Sequence, residues 1–250
     1  IGTRWVDVNK DDETQPYYRS RLVAQEYKRN PEWSFFTATP PLESLRALLI
    51  CGTVSQLPNL SNQLETWKEQ IVFMQIDIRR AHFYSPARRT VHVELPPEAN
   101  QPKNKVGRLL KTMYGCRDAG VNWEMCILEE MTKLGSQQGT SSPCIYWHKD
   151  KNLRVWVYGD DFVVMGRYDD VKWLEARLRE VWTLTVRGIL GPKGYKDCVQ
   201  ELRVLGRIIG WTTEGITWEA DPRLAEIVKK AYNLSKGCNR KMGTPDEKTN

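Results

Sequence analysis

Apolar runs alternate with polar, turn-forming segments along the chain, and the spacing within each run predicts the element that it forms. Apolar residues at helical spacing predict helices over residues 42–51, 119–134, 171–182 and 222–234. Short β-rich or alternating runs predict strands over residues 21–25, 71–76, 90–95, 144–148, 153–157, 162–165, 199–209 and 215–218. Residues 149–152 join two of these strands in a hairpin, and the remainder of residues 1–34 is polar and turn-rich.

The order of these elements predicts the class of fold. Strands and helices interleave without regular β-α alternation, which favours an α+β layout with an antiparallel sheet. We expect one domain over residues 1–234, followed by a polar tail or linker over residues 235–250. Because the chain opens on Ile1 rather than Met, we expect it to be a piece of a longer protein.

The composition excludes several classes of protein. With 40% hydrophobic and 27% charged residues, the chain is neither disordered, collagen-like nor a coiled coil. No apolar run approaches the ~20 residues that a membrane helix needs, so we expect no membrane partner. The six Cys form no C-x-x-C pair and only three His are present, which disfavours a disulfide framework or a zinc site and favours reduced thiols inside the cell.

Positive charge is concentrated in one stretch. The net charge of the whole chain is +6, yet between Arg79 and Arg117 nine Lys or Arg residues stand against two Glu. Such a block suits a polyanion such as nucleic acid, because neutralising phosphates releases their counterions. A solvated basic face explains it equally well. The candidate phosphate contacts are Arg79, Arg80, Arg88 and Arg89.

The segment YGDD at residues 158–161 forms a tight turn between two apolar runs. The adjacent carboxylates of Asp160 and Asp161 repel each other and lose hydration there unless a cation compensates them. A hard divalent ion such as Mg²⁺, which takes oxygen ligands, would do so. The alternative is an ordinary hairpin turn, where Gly and Asp are favoured.

A further acidic residue, Asp77, follows the predicted strand 71–76. Taken alone, it is explained more simply as the N-cap of a helix than as a metal ligand. Together with Asp160 and Asp161 it would supply carboxylates from adjacent strand ends. Two-metal phosphoryl transfer needs such a ligand set.

Seven blocks of the chain resemble, in order, the reverse transcriptases of Ty1/copia-type retrotransposons. They are RLVA at 21–24, the stretch Phe35–Ile50 (family F..T..P...L.S.R.LL), QIDI at 75–78 (QMDV), VHVELPP at 91–97 (VYMEQPP), the block at 110–123 (LKKSLYGLKQAPRAW), YGDD at 158–161 (YVDD) and LG at 205–206 (FLGI). The resemblance runs from about residue 19 to residue 234. One block would be weak support, but seven in order at suitable separations are specific.

The resemblance implies a right-hand polymerase, with fingers, a palm built on a small antiparallel sheet backed by helices, and part of a thumb. It implies RNA-directed DNA polymerase activity, extending a primer 3′-hydroxyl with deoxynucleoside triphosphates. Asp77, Asp160 and Asp161 become the catalytic residues and the ligands of two Mg²⁺ ions, with Mn²⁺ as a substitute. The other implied positions are Arg19, Arg21, His82 and Tyr158 at the nucleotide, and Leu205 and Gly206 near the primer terminus. Solvated strand faces for the arginines and a strand bulge at Gly206 are the alternatives.

Some residues depart from the family pattern. His82 replaces the Phe that commonly screens the sugar 2′-position, so Phe83 is an alternative screen. The block at 116–122 lacks the family's Gln and Pro and has an acid at Asp118. A catalytically inactive remnant that still binds nucleic acid is therefore the second hypothesis, and an unrelated α+β protein with a chance acidic turn is the third.

The resemblance also implies partners and a location. We expect an RNA or DNA template with its primer, dNTPs, and the RNase H and integrase domains of a parent polyprotein outside this chain. We expect the protein to be intracellular, in a cytoplasmic particle, in the nucleus or in both.

Overall fold

The structure, a computed structural model, describes residues 1–9, 16–27, 35–54 and 70–232. Within these ranges the strands are β1 (Gly2–Asn9), β2 (Tyr18–Gln25), β3 (Ile71–Ile78), β4 (His92–Glu94), β5 (Val106–Arg108), β6 (Gln137–Gln138), β7 (Ile145–His148), β8 (Leu153–Tyr158), β9 (Asp161–Arg167), β10 (Leu184–Leu190), β11 (Glu201–Val204), β12 (Arg207–Trp211) and β13 (Ile216–Ala220). The helices are α1 (Leu42–Val54), α2 (Ala119–Lys133), α3 (Tyr168–Val181) and α4 (Pro222–Ala231), with short 3₁₀ helices at Ala81–Tyr84 and Pro97–Ala99.

A six-stranded antiparallel sheet lies at the centre of the molecule, in the order β10-β3-β9-β8-β7-β6. Smaller antiparallel sheets pair β1 with β2, β4 with β5, and β11 with β12 and β13. The α+β layout with an antiparallel sheet, which the element order predicted, is confirmed.

Strand β3 is apolar at nearly every position because both faces of the central sheet are covered. Val72, Met74 and Ile76 point to one face, where they pack with the apolar sides of α2 and α3. Ile71 and Phe73 point to the other face, where they pack with α1 and with the sheet of β11, β12 and β13. The middle of the sheet is therefore buried between two layers. Polar side chains are accommodated at the ends of its strands, which are less buried.

A third apolar cluster attaches the N-terminal hairpin of β1 and β2 to the rest of the molecule. Ala24 on β2 packs with Val91, Val93, Met113 and Ala119. The hairpin is otherwise exposed on much of its surface. Hydrogen bonds to β4 also hold it, from the N-terminal amine of Ile1 to the His92 carbonyl at 2.8 Å and from Oγ1 of Thr3 to the Glu94 carbonyl at 3.0 Å.

Most of the predicted elements are confirmed, with shifted ends. Helices predicted at 42–51, 119–134 and 171–182 are Leu42–Val54, Ala119–Lys133 and Tyr168–Val181, and the strand predicted at 71–76 extends to Ile78. The helix predicted at 222–234 ends at Ala231, and the polar tail predicted at 235–250 lies outside the described residues. None of the described helices is long and apolar enough to cross a membrane.

One predicted strand is wrong and four strands were not predicted. The single strand predicted at 199–209 is divided by a turn, because Leu205 and Gly206 adopt φ values of 47° and 70° and reverse the chain between β11 and β12. Strands β1, β5, β6 and β10 were not predicted, and β5 and β6 are only three and two residues long. β1 is polar on an exposed hairpin, and β10 contains a bulge between Val186 and Gly188 that interrupts its alternation.

Candidate active site

Asp77 and Asp161 are cross-strand neighbours on one face of the central sheet. The register of β3 and β9 pairs them directly. Residues opposite each other in an antiparallel pair have Cβ atoms about 4.5–5.5 Å apart. Both side chains are half-buried. The fold thus brings together two of the carboxylates that the sequence singled out, although they are distant along the chain.

Asp160 lies in the tight turn between β8 and β9. Tyr158 pairs with Asp161 and leaves Gly159 and Asp160 as a two-residue loop, with Gly159 in the left-handed region at φ 62°. The backbone N–H of Ile78 donates to the Asp160 carbonyl at 2.9 Å. The Nε1–H of Trp123 on α2 donates to the Gly159 carbonyl at 2.8 Å. The turn is therefore held between the end of β3 and helix α2.

The three carboxylates are electrostatically unfavourable as a group. Burial and the charges of Asp160 and Asp77 together raise the pKa of Asp161 to about 6, against the opposing effect of Arg187. The side chain of Gln75 also hydrogen-bonds Asp161 and lowers its pKa. Such a cluster is stabilised by any cation that enters it.

A groove of about 550 Å³ opens beside Asp77 and Asp161. Arg187 on β10 lines it, with its Nη2 atom 3.4 Å from Oδ2 of Asp77. Leu205, in the turn after β11, lines the opposite part of the groove. Arg187 was not among the predicted site residues, because β10 was not predicted. The β-rich residues on either side of Arg187 were the available signal.

The ring of Tyr114 contacts three predicted or alternative site residues. Tyr114 itself was not predicted as a site residue. The guanidinium Cζ of Arg21 lies 5.1 Å from its ring centroid, and His82 and Phe83 contact the ring edge-on at 4.6 and 5.8 Å. Burial raises the pKa of Tyr114, as do the charges of Asp160 and Asp77, while Arg21 and Arg19 lower it. Its place in the block at 110–123 was the signal that could have identified it.

His82 and Phe83 occupy the short 3₁₀ helix after β3, so the two candidates for screening the sugar lie side by side. His82 is half-buried, and its Nδ1 atom has no hydrogen-bond partner among the described residues. Burial lowers its pKa, and the charge of Asp160 opposes this. Phe83 is 42% exposed. Which of the two screens the sugar stays a prediction.

The predicted nucleic-acid contacts Arg79 and Arg80 lie just beyond Asp77, and both are exposed. Arg79 donates from Nε to Oγ1 of Thr185 at 3.0 Å. Arg80 adopts φ 57°, and no described residue pairs with its guanidinium. Tyr158, predicted at the nucleotide, stacks on Trp156 with ring centroids 6.0 Å apart.

The other two predicted nucleic-acid contacts, Arg88 and Arg89, form ion pairs with carboxylates. Arg88 pairs with Glu129, and Arg89 pairs with both Glu26 and Asp118. Counting charges along the sequence could not identify these partners, because they lie in distant segments. Contact of Arg88 and Arg89 with nucleic acid stays a prediction.

Similarity to known proteins shows the family of the chain. The family model described as reverse transcriptase (RNA-dependent DNA polymerase) matches residues 1–184. The chain belongs to this family. The resemblance to Ty1/copia-type reverse transcriptases is confirmed, since the relatives that match are polyproteins of such elements. The matched region contains Asp77, Asp160 and Asp161.

The curated relatives are distant and far longer than this chain. The Retrovirus-related Pol polyprotein from transposon TNT 1-94 of Nicotiana tabacum is 23% identical over 94% of this chain and 17% of its own length. The Transposon Ty1-ER2 Gag-Pol polyprotein of Saccharomyces cerevisiae is 24% identical over 67% of this chain and 9% of its own length. The chain therefore spans less than a fifth of either relative.

Proposed function

We propose that this chain is the RNA-directed DNA polymerase part of a copia-like retrotransposon polyprotein. It would extend a primer 3′-hydroxyl with deoxynucleoside triphosphates and release pyrophosphate. One observation carries the proposal: Asp77 lies directly opposite Asp161, with Asp160 in the adjoining turn. In this proposal the central sheet with α2 and α3 is the palm, and the hairpin of β1 and β2 belongs to the fingers.

The three aspartates fit the Mg²⁺ ions that this chemistry uses. They supply the hard oxygen ligands that Mg²⁺ or Mn²⁺ prefers, and burial together with the charges of Asp160 and Asp77 raises the pKa of Asp161 to about 6 even though Arg187 is close by. Two bound ions would activate the attacking hydroxyl and stabilise the departing pyrophosphate. Asp77, Asp160 and Asp161 would hold them, while Gln75 orients Asp161 through its hydrogen bond.

The residues around Tyr114 would bind the incoming nucleotide. Arg21 stands over the Tyr114 ring, and its guanidinium suits the triphosphate because planar, bidentate contacts match phosphate oxygens. His82 and Phe83 at the edge of the same ring would limit the space for a sugar 2′-hydroxyl. Leu205 and Gly206 would lie toward the primer terminus, since Leu205 lines the groove that contains Asp77.

The partners and location follow from the proposed activity. A primed RNA or DNA template, dNTPs, and RNase H and integrase domains elsewhere in a parent polyprotein are the expected partners. A cytoplasmic particle, the nucleus or both are the expected locations. The relatives' printed descriptions as Pol and Gag-Pol polyproteins support this proposal.

Primer extension on an RNA template tests the function. With Mg²⁺ we expect the wild-type chain to add dNTPs, and Asp77→Asn to reduce the rate by roughly a thousandfold, as is typical of losing a group that stabilises transition-state charge. Asp150→Asn, an exposed acid in the turn between β7 and β8, is the control and should extend normally. Fluorescence anisotropy should give similar affinity for the primed template in all three proteins. A wild-type chain that binds the template but extends nothing would be the inactive remnant.

A further inference from the structure

Arg89 joins two carboxylates that come from separate parts of the chain. Its Nη2 atom donates to Oδ1 of Asp118 at 2.9 Å, its Nε lies 2.9 Å from Oδ2 of the same carboxylate, and it pairs with Glu26. Glu26 directly follows β2, and Asp118 directly precedes α2. The Arg89 bridge, defined here as Arg89, Glu26 and Asp118, therefore connects the N-terminal hairpin to the block that contains Tyr114.

Backbone hydrogen bonds continue this connection toward the candidate active site. The N–H of Ala24 donates to the Tyr114 carbonyl at 2.8 Å, and the N–H of Glu26 donates to the Gly115 carbonyl at 3.4 Å. Oε2 of Glu26 also accepts from the backbone N–H of Arg117 at 2.9 Å. The end of β2 is thus held along the segment that begins at Tyr114.

The side chains of the Arg89 bridge are largely shielded from water, so losing one of them should change the free energy of folding. The side chains of Asp118, Glu26 and Arg89 are 6%, 14% and 26% exposed. Burial raises the pKa of Glu26 and of Asp118, but the hydrogen bonds and charge of Arg89, together with hydrogen bonds from the Arg117 N–H to Glu26 and from Asn122 to Asp118, outweigh it and leave both pKa values below their ordinary range. Removing one charge of such a group leaves another uncompensated, which is more costly than losing an exposed pair.

A metal ion is a poorer explanation of this cluster. Glu26, Cys116 and Asp118 offer ligand atoms within 4.8 Å of one another. However, Arg89 already neutralises both carboxylates, and burial raises the pKa of the Cys116 thiol, so the thiolate that binds metals is disfavoured. Asp118, which departs from the family pattern, instead has an arginine partner.

We infer that Arg89 is a positioning residue that fixes Arg21 over Tyr114 by docking the end of β2 against residues 114–118. Arg21 lies in the middle of β2, three residues before Ala24, whose N–H donates to the Tyr114 carbonyl, and the Arg21 guanidinium reaches the Tyr114 ring at 5.1 Å. Weakening the bridge therefore moves Arg21 away from the triphosphate without altering Asp77, Asp160 or Asp161. This consequence for the nucleotide rests on the proposed function, whereas the docking itself does not.

Residue-resolved amide hydrogen exchange tests the docking without any activity. In Asp118→Asn and in Glu26→Gln we expect the amides of Ala24 and Glu26 to lose protection by about tenfold or more, because local opening exposes them. The control Glu129→Gln breaks the neighbouring pair, which joins Arg88 to α2 rather than to β2, and should leave both amides protected. Unchanged protection in both bridge variants would overturn the inference.

A double-mutant cycle between Asp118→Asn and Arg21→Ala tests whether the bridge acts through Arg21. Each single variant should raise KM for dNTP by about fivefold with little change in kcat, and the double variant should be no worse than Arg21→Ala, since residues in one network are not additive. Additive effects, or a loss confined to kcat, would contradict the positioning role. If the wild-type chain extends nothing, the proposed function fails by itself, and the exchange result still decides the docking.

Discussion

Asp161 shows the conflict between stability and function at the scale of a single residue. Its carboxyl is half-buried, lies opposite Asp77 and follows Asp160, and its pKa is raised to about 6. A raised pKa in an acid means that the folded state disfavours the ionised form. At neutral pH without a cation, Asp161 therefore costs folding free energy. Natural proteins tolerate such costs at sites that serve a function.

We expect Asp161→Asn to stabilise the metal-free protein while abolishing primer extension. Above pH 6 the gain should be about 1–2 kcal/mol, less than the full pKa shift implies because the group is partly solvated. Below the ordinary Asp value of 3.8 the carboxyl is protonated in both states, so the gain disappears. Urea denaturation with a chelator at pH 7.5 and at pH 3.5 measures this, and Mg²⁺ should stabilise the wild-type protein more than the variant. Equal stability of the two proteins at both pH values would contradict it.

At the scale of elements, burial decides how much could be predicted. Strands β3, β8 and β9 are predictable because their apolar runs are covered by packed layers, and these strands carry Asp77 and Asp161. β10 was not predictable because the bulge near Arg187 interrupts its pattern of apolar residues. β1 was not predictable because much of it is exposed. The attachment of the hairpin was also not predictable, since it depends on contacts between segments distant in sequence.

Gly115 allows β2 to pack closely against the segment that precedes α2. It has φ 88°, and a Cβ atom there would lie 1.9 Å from the Ala24 carbonyl oxygen, which is backbone and must shift. We expect Gly115→Ala to lower the free energy of unfolding by about 2–4 kcal/mol, from left-handed strain and over-packing together. Gly194→Ala is the control, because Gly194 has φ 77° with nothing within 4 Å of a Cβ, and it should cost only about 1 kcal/mol. Urea denaturation measures both, and equal losses would contradict the close approach.

At the scale of the whole molecule, folding pairs some of the positive charges that are concentrated between Arg79 and Arg117 with acidic side chains. Arg88 and Arg89 are paired with acids, whereas Arg79 and Arg80 remain exposed beside the end of β3. The basic stretch can be located from the sequence, but the ion pairs of its arginines cannot. Their partners Glu26, Asp118 and Glu129 lie outside the stretch or at its margin. Among the four candidate contacts, Arg79 and Arg80 are therefore the two without an acid partner in the described residues, and they lie next to Asp77.

This distribution predicts how single cations change the salt dependence of binding to a primed template. Arg80→Gln should reduce the slope of log affinity against log salt by about one, because one phosphate contact with its counterion release is lost. Arg88→Gln should change the slope less, because Arg88 must leave Glu129 before it can meet a phosphate. Arg177→Gln, on α3 and paired with Glu180, is the control and should leave the slope unchanged. Anisotropy titrations across a range of salt concentrations measure all three slopes. If Arg80→Gln and Arg177→Gln behave alike, the exposed charge beside Asp77 does not contact the nucleic acid.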